Sequence, residues 1–480
     1  VNAEHNTTET RRPRSAYSPP KLTGIWRNRS LRLAITGLSG SGKTALITSL
    51  IANLVAAPAQ PNRLPFLRAA SEQRLVGANR TRRRGTADAV FPFQETVAAL
   101  AADPPHWPAS TTDFRRTGLA VRFHSAGLFG IPNPFGHFAD RAVEMTIEIT
   151  DYPGEWLLDL PLLAQTYQDW SRTTLDLARQ GIRAALARDW LGFLDRHPAY
   201  ARGDAETAQR AHDLYREYLV GCRREHLSLL QPGRFLDPAS ATSGPGLAFC
   251  PLPGASHARS PAGTLAAVME SRFETYKRIF VRPFLSQLAR GVDRQIVLVD
   301  VFRALNAGEE AFSDQRRSLE TILESFRFGR RGLLHVLFGG RIDRVLFAAT
   351  KADHVPALQR DHLEALISHM LAVPALSAER ARARVAATAL ASIRCTEDGV
   401  DEIDGRKVDV VIGLPQGGDR RIHFFPGIVP VTAPPPGFWG DRFTEFPVFQ
   451  PPRVQHSGQE GIPHINLDKA LDFLLGDMLA

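Results

Sequence analysis

Eight consecutive residues, Gly37-Leu38-Ser39-Gly40-Ser41-Gly42-Lys43-Thr44, carry the spacing G-x-x-x-x-G-K-[ST]. The chemistry such a turn does is phosphate binding. Its glycines let the N–H groups of Ser39, Gly40, Ser41 and Gly42 wrap a β-phosphate at a helix N-terminus. Lys43 then reaches the β- and γ-phosphate oxygens, and the Thr44 hydroxyl holds Mg²⁺. A lysine followed by a threonine has no structural job in a plain strand–helix turn.

Five further sites could complete a nucleotide switch. Asp151-Tyr152-Pro153-Gly154 is a D-x-x-G. Asp151 would hold Mg²⁺, usually through water, and the Gly154 N–H would meet the γ-phosphate, so that losing the phosphate releases the loop. Glu155 stands where many small GTPases have a Gln that orients the attacking water; it could orient water, against repulsion from the γ-phosphate, or be a surface helix residue. Thr350-Lys351-Ala352-Asp353 resembles the N-K-x-D guanine motif, with Thr in the first place. The Asp353 carboxylate can accept from guanine N1–H and N2–H₂, a donor pair that adenine lacks, and Lys351 would lie along the base. Ala391-Ser392 sits where a backbone N–H meets guanine O6, although a simple strand-end loop reads the same way. Thr111 is the candidate switch threonine for Mg²⁺ in the triphosphate state, with Thr112 and Thr117 competing.

These residues need strands that end at one edge. Leu31 to Thr36 reads as a buried strand, and Thr44 to Leu54 as a helix with apolar 46, 47, 50, 51 and 54 on one face. Strands are expected at Leu119–Phe123 and Val143–Ile149, the latter ending in the D-x-x-G. Near-continuous apolar runs at Gln295–Asp300, Arg344–Ala349 and Arg384–Leu390 suit a buried parallel sheet. Helices fit between them at Glu309–Phe326 and Ala357–Val373. Helical periodicity over Gln165–Leu194, Asp204–Leu230 and Leu265–Arg290 predicts an all-helical insertion spanning 157–290. The expected organisation is a basic tail (1–30), a nucleotide domain in two parts (31–156 and 291–400) and a C-terminal region (401–480). That last region would hold a β-hairpin around Gly417-Gly418 and a helix from Leu467 to Leu479. The stretch 55–118 is poorly periodic.

At 480 residues the chain is long enough for about three units. A 44% hydrophobic share is that of a globular protein with a sizeable core. The net charge of +8 admits anionic partners, but Arg82-Arg83-Arg84-Gly85 has no aromatics interleaved, so no specific nucleic acid is expected. Cys222, Cys250 and Cys395 lie far apart without metal-ligand spacing, which fits reduced thiols in a reducing compartment. The start lacks an apolar signal core, and no run reaches the ~20 apolar residues of a bilayer span. The expectation is a cytoplasmic protein, at most resting on a membrane surface.

Together these pieces resemble the YcjX-like bacterial stress GTPases. The strings that carry the resemblance are Asp-Tyr-Pro-Gly-Glu-Trp at 151–156 and Ala-Thr-Lys-Ala-Asp-His at 349–354. Supporting matches are Trp107-Pro108 with Ser110-Thr111, Leu305-Asn306-Ala307-Gly308 and Leu467-Asp468-Lys469-Ala470. The resemblance implies a Ras-like P-loop NTPase fold of α/β class with a mostly parallel sheet. It also implies GTP or GDP binding with Mg²⁺, a helical domain beside the nucleotide domain and a role in envelope stress. Partners would be an unidentified protein effector and, at the periphery, the anionic inner membrane. Slow hydrolysis of GTP is the expected reaction. An ATPase, or a nucleotide-stabilised scaffold without turnover, are the alternatives.

Overall fold

The computed structural model describes residues 29–38, 40–81, 89–108, 114–125, 142–236, 246–255, 260–289, 292–327, 342–379, 383–439, 446–455 and 460–480. Among these residues eight strands form the main sheet: β1 (Arg29–Gly37), β2 (Leu75–Thr81), β3 (Ala89–Val90), β4 (Arg115–Phe123), β5 (Val143–Asp151), β6 (Arg294–Val299), β7 (Arg344–Ala349) and β8 (Arg384–Ala389). Their order is β2-β4-β5-β1-β6-β7-β8, with β3 beside β4. From β5 to β8 all neighbours run parallel; β4 is antiparallel to both β5 and β2. This is the α/β P-loop architecture, mostly parallel. Chain order reverses on either side of β1, and in open parallel sheets ligands bind beyond the strand ends at such a point.

Side chains alternate across the sheet, and each face buries a different set. Leu33 and Ile35 of β1, Ile296 and Leu298 of β6 and Ile147 of β5 pack under helix α1 (Lys43–Ala56) and the helix Leu467–Leu475. On the opposite face Val297, Val299, Val345 and Phe347 meet helices Val301–Ala307, Glu309–Arg327 and Arg360–Glu379. Next to them Ala34 and Tyr152 join a core made mostly by residues between β5 and β6.

Among the described residues, the chain between β5 and β6 forms helices, turns and one isolated bridge, Arg202 with Thr264. Side-chain caps start its longer helices: Thr166 before Tyr167–Ala178, Asp204 before Ala205–Arg224 and Thr264 before Leu265–Tyr276. Trp170 sits between Phe249 and Phe273, at ring-centroid distances of 5.4 and 5.2 Å. This layer is tied by charge to the helix Glu309–Arg327 that packs on the sheet. Arg183 Nη2 meets Asp314 Oδ1 at 2.8 Å, with both side chains buried. The other Asp314 oxygen accepts from the N–H groups of Ser228 and Leu229 at 2.6 and 2.7 Å.

Several elements differ from the sequence expectation. The stretch read as poorly periodic holds β2, β3 and the helix Phe93–Ala101. β2 is an edge strand with only Leu75 and Ala78 buried, so it shows no apolar alternation. The helix expected over Gln165–Leu194 is broken at Gly181, whose φ is 50°. The helix expected over Asp204–Leu230 stops at Arg224, before His226 turns left-handed. A π-helical turn, Lys277–Val281, interrupts the helix expected over Leu265–Arg290. The C-terminal hairpin joins β10 (Arg406–Gly413) to β11 (Ile422–Phe424), but a further strand, β9 (Thr396–Ile403), pairs with the other edge of β10. β9 alternates charged residues with few apolar ones and faces little core, which hid it. The last helix ends at Leu475 rather than Leu479. No helix among the described residues is long and apolar enough to cross a membrane. The basic tail up to residue 28 and Arg82–Gly85 lie outside the described residues.

Removing one partner of a buried ion pair leaves the other charge desolvated. Arg183→Ala should therefore cost about 3–5 kcal/mol. Urea unfolding of the two proteins measures it, and a loss under about 1 kcal/mol would show that Asp314 is satisfied by the two N–H groups alone.

Candidate functional site

β1 ends at Gly37 and α1 starts at Lys43, so the glycine turn spans the end of a central strand and a helix N-terminus. Gly40 and Gly42 have φ of 80° and 88°, where L side chains are strained. The first turn of α1 contains no acidic residue, so its positive dipole end is not offset from within the helix. The Lys43 Nζ is buried and donates to the Gly37 carbonyl at 2.7 Å. The buried Ser41 hydroxyl has no partner among the described residues. A helix start of this kind, with an unpartnered hydroxyl and a lysine, suits an anion.

The D-x-x-G is docked on the same carbonyl. The parallel register sets Asp151 opposite Ile35. Tyr152 N–H then donates to Ile35 O at 3.4 Å and Gly154 N–H to Gly37 O at 3.2 Å. The Thr36 hydroxyl donates to Tyr152 O at 3.2 Å. A Cβ on Gly154 would fall 2.7 Å from the Gly37 carbonyl carbon, so only glycine allows this approach.

The Thr350–Asp353 segment follows β7. The Thr350 hydroxyl donates to Val299 O at 3.3 Å, tying the end of β7 to β6. Lys351 adopts φ 62° and its Nζ meets Asp300 Oδ2 at 2.7 Å. Asp353 is 2% exposed. Its Oδ2 accepts from Cys395 N–H at 2.9 Å, and its Oδ1 faces His354 Nδ1 at 3.3 Å. Burial alone would raise its pKa, but His354 and the Cys395 N–H outweigh that and hold it below the ordinary carboxylate value. Burial, reinforced by the Asp353 charge, pushes the Cys395 thiol well up. The Ala391 N–H is engaged with Ile465 O at 3.1 Å, in a bridge that braces this loop from the C-terminal segment.

One cavity of about 490 Å³ joins these pieces. Gly40, Ser41, Gly42, Lys43 and Thr44 line one end; Lys351, Asp353, Ala391 and Ser392 line the other. Glu155 lines a smaller adjoining cavity of about 140 Å³, together with Leu38 and Lys43. Asp151 and Gly154 lie beside these cavities at the end of β5, outside their lining. Thr117 sits within β4, paired with Ile149. Ser39, Thr111 and Thr112 lie outside the described residues. Thr44 and Asp151 are both buried and carry hard oxygens, the donor type that suits Mg²⁺. Among the described residues no cluster of three or more His, Cys, Asp or Glu could hold a metal ion.

The cavities also take residues that no motif pointed to. Asp300, Arg303 and His226 line both of them. Asp300 could have been found: it ends an apolar strand and caps the helix behind it, accepting from Arg303 N–H at 3.2 Å. His226 and Arg303 are 77 residues apart and have no local signal.

The segment after Gly154 is gripped by the helical layer. Gln231 Nε2 donates to Leu158 O, and the Gly233 N–H donates to Asp159 Oδ1 at 2.9 Å. Tyr276 donates its hydroxyl to Asp159 Oδ2 at 2.5 Å. The Arg234 guanidinium lies 3.4 Å above the Trp156 ring. Phe284 sets an edge against both Tyr152 and Trp156, each at 5.4 Å.

The sequence profile of the YcjX-like family, DUF463, matches residues 31–479. A protein of Escherichia coli (strain K12) named "Ras-like GTPase YcjX" is 36% identical over 458 residues, 94% of this chain and 96% of that protein. One of the same name from Shewanella oneidensis (strain MR-1) is 36% identical over 475 residues, 94% of this chain and 95% of that one.

Burial raises the Asp159 pKa from 3.8 to about 6, against the hydrogen bonds from Tyr276 and Gly233. Folding then disfavours its charged form. The penalty is absent below about pH 4, grows up to about pH 6 and is constant above, reaching roughly 3 kcal/mol. Asp159→Asn should remove it. Between pH 4 and pH 7 the variant should gain stability relative to the parent by about that amount in urea unfolding. Parallel pH profiles for the two proteins would contradict the burial argument.

Proposed function

The chain belongs to the YcjX-like family, and from that premise and the site's geometry we propose that it binds GTP and GDP and hydrolyses GTP to GDP and phosphate. The observation that carries this is the single cavity lined at one end by Gly40–Thr44 and at the other by Lys351, Asp353 and Ser392. Its two ends suit the two ends of one nucleoside phosphate.

Phosphates lie on the N-terminus of α1. The Gly40–Gly42 N–H groups and the Lys43 ammonium neutralise β- and γ-phosphate charge. Lys43 has three N–H donors and gives one to Gly37, which leaves donors for phosphate. Thr44 and Asp151 would hold Mg²⁺, with Thr111 as the switch threonine of the triphosphate state. Bound there, Mg²⁺ would supply positive charge against the phosphates. The Gly154 N–H exchanges Gly37 O for the γ-phosphate. Residues 155–159 follow Gly154, and the grip on them from Gln231, Gly233, Arg234 and Tyr276 carries that exchange into the helical layer. This makes the chain a switch whose helices present the nucleotide state to a protein effector. Glu155 in the water-orienting place, with its charge opposed to the γ-phosphate, makes hydrolysis slow.

Base choice rests on Asp353. Its oxygens accept from the Cys395 N–H and face His354 Nδ1, and keep lone-pair capacity for a guanine donor. Its lowered pKa keeps it an acceptor. Lys351, braced by Asp300, lies along the base. Because the Ala391 N–H is used by Ile465, the N–H for guanine O6 is assigned to Ser392.

Asp353→Asn keeps the shape and puts an NH₂ donor against a guanine donor. Two charge-assisted hydrogen bonds of roughly 1.5–3 kcal/mol each are at stake, so GDP affinity should fall at least about tenfold. Xanthine, with O2 in place of the amino group, should be tolerated instead. Competition of GDP, XDP and ADP against both proteins reads this out. A parent protein that binds ADP as well as GDP, or a variant with full GDP affinity, would replace the guanine assignment with an ATPase. Lys43→Ala should weaken GTP and GDP alike, because the β-phosphate is common to both; titration showing unchanged GDP affinity would remove the phosphate site from this loop.

A further inference from the structure

Arg303 stands in the first turn of helix Val301–Ala307. A Cβ built on Gly40 would lie 3.2 Å from Arg303 Nη1, so the guanidinium rests against the phosphate-binding turn itself. It lines both the large cavity and the smaller one shared by Lys43 and Glu155. Its Nε donates to His226 Nδ1 at 2.7 Å. An arginine only donates, so that Nδ1 accepts.

His226 comes from the helical layer, two residues beyond the helix Ala205–Arg224. Its φ is 59°, a conformation that costs a non-glycine residue of order 1–3 kcal/mol and persists only where its surroundings impose it. Those surroundings are visible. The Asp314 carboxylate holds the N–H groups of Ser228 and Leu229, and Arg183 holds Asp314. On the other side Asp300 caps the N–H of Arg303. The arginine and the histidine are each fixed by a separate anchored element, and they meet at the phosphate end of the cavity.

We propose that Arg303 is a built-in arginine that stabilises phosphate charge during hydrolysis, and that His226 is its positioning residue. This rests on the GTPase reading above. In that reaction a water oxygen bonds to the γ-phosphorus as the bond to the β–γ bridging oxygen breaks. The electron pair stays on that oxygen, which leaves with GDP, and the water proton ends on the released phosphate. Charge therefore grows on the bridging oxygen, at the β-phosphate that the turn wraps. Lys43 brings a compact ammonium there. A planar guanidinium adds several donors that can span bridging and terminal oxygens at once. Because His226 belongs to the helical layer, the position of that layer sets where the arginine points, and so tunes the rate from within the chain.

The test uses the full chain and three readouts: GDP affinity, single-turnover GTP hydrolysis, and the gain in GDP affinity on adding aluminium fluoride, a stand-in for the transferring phosphoryl group. Arg303→Ala should slow hydrolysis at least about 100-fold and abolish the aluminium fluoride gain, with GDP affinity changed less than about threefold. Arg303→Lys keeps the charge without the fork and should recover no more than about a tenth of the rate. His226→Ala should slow hydrolysis about tenfold, and the double variant should be no slower than Arg303→Ala alone, because the histidine acts through the arginine. A wild-type rate in Arg303→Ala, an equal loss of GDP affinity and rate, or losses that multiply in the double variant would each overturn the proposal while the GTPase reading stands. A parent protein that neither hydrolyses GTP nor gains affinity with aluminium fluoride would overturn both.

Discussion

Two donors converge on one carbonyl. Gly37 O, at the last residue of β1, accepts from the Lys43 ammonium at 2.7 Å and from the Gly154 N–H at 3.2 Å. The first comes from the helix that follows the glycine turn, and the second from the turn that follows β5. That carbonyl therefore fixes the spacing between the phosphate-binding loop and the D-x-x-G. The approach is close enough that any side chain at Gly154 would collide with the Gly37 backbone. Parallel pairing of β1 with β5 on one side and β6 on the other brings the strand ends to this point. The apolar alternation of the central strands holds the pairing in register.

From this contact the construction runs outward in two directions. Through β6 and β7 it reaches Asp300, Lys351 and Asp353, where buried carboxylates and a left-handed lysine line the far end of the cavity. Through residues 155–159 it reaches the helical layer, which holds that segment by hydrogen bonds, an aromatic edge and a guanidinium over Trp156. The helical layer returns to the cavity at His226. The same layer thus touches the phosphate end twice, once through the segment after Gly154 and once through Arg303. Ions and aromatic rings join the layer to the sheet, so a shift at Gly154 meets a packed core rather than a loose hinge.

Much of this was legible because local chemistry and local periodicity agreed. The glycine turn lies between an apolar strand and a helix with periodic apolar positions, and β6 and β7 read as buried runs because both their faces are covered, whereas β8, at the sheet edge, is buried only at Thr388 and Ala389. What stayed hidden had no local signature. β2 is an edge strand, and β9 is a polar ribbon with little core beneath it. The helix breaks at Gly181 and at Lys277–Val281 interrupt a periodicity that continues on either side. The use of Ala391 N–H by Ile465 depends on a contact 74 residues away in sequence. His226 meeting Arg303 depends on the packing of the helical layer, and neither residue type nor spacing announces it.

A γ-phosphate met by Gly154 should be felt in the helical layer through residues 155–159. Amide hydrogen exchange on the full chain, with GDP and then with a non-hydrolysable GTP analogue, reads this out. Residues 155–159 and 226–236 should change protection together when the nucleotide is switched. A change confined to residues 151–159, with 226–236 alike in both states, would contradict it.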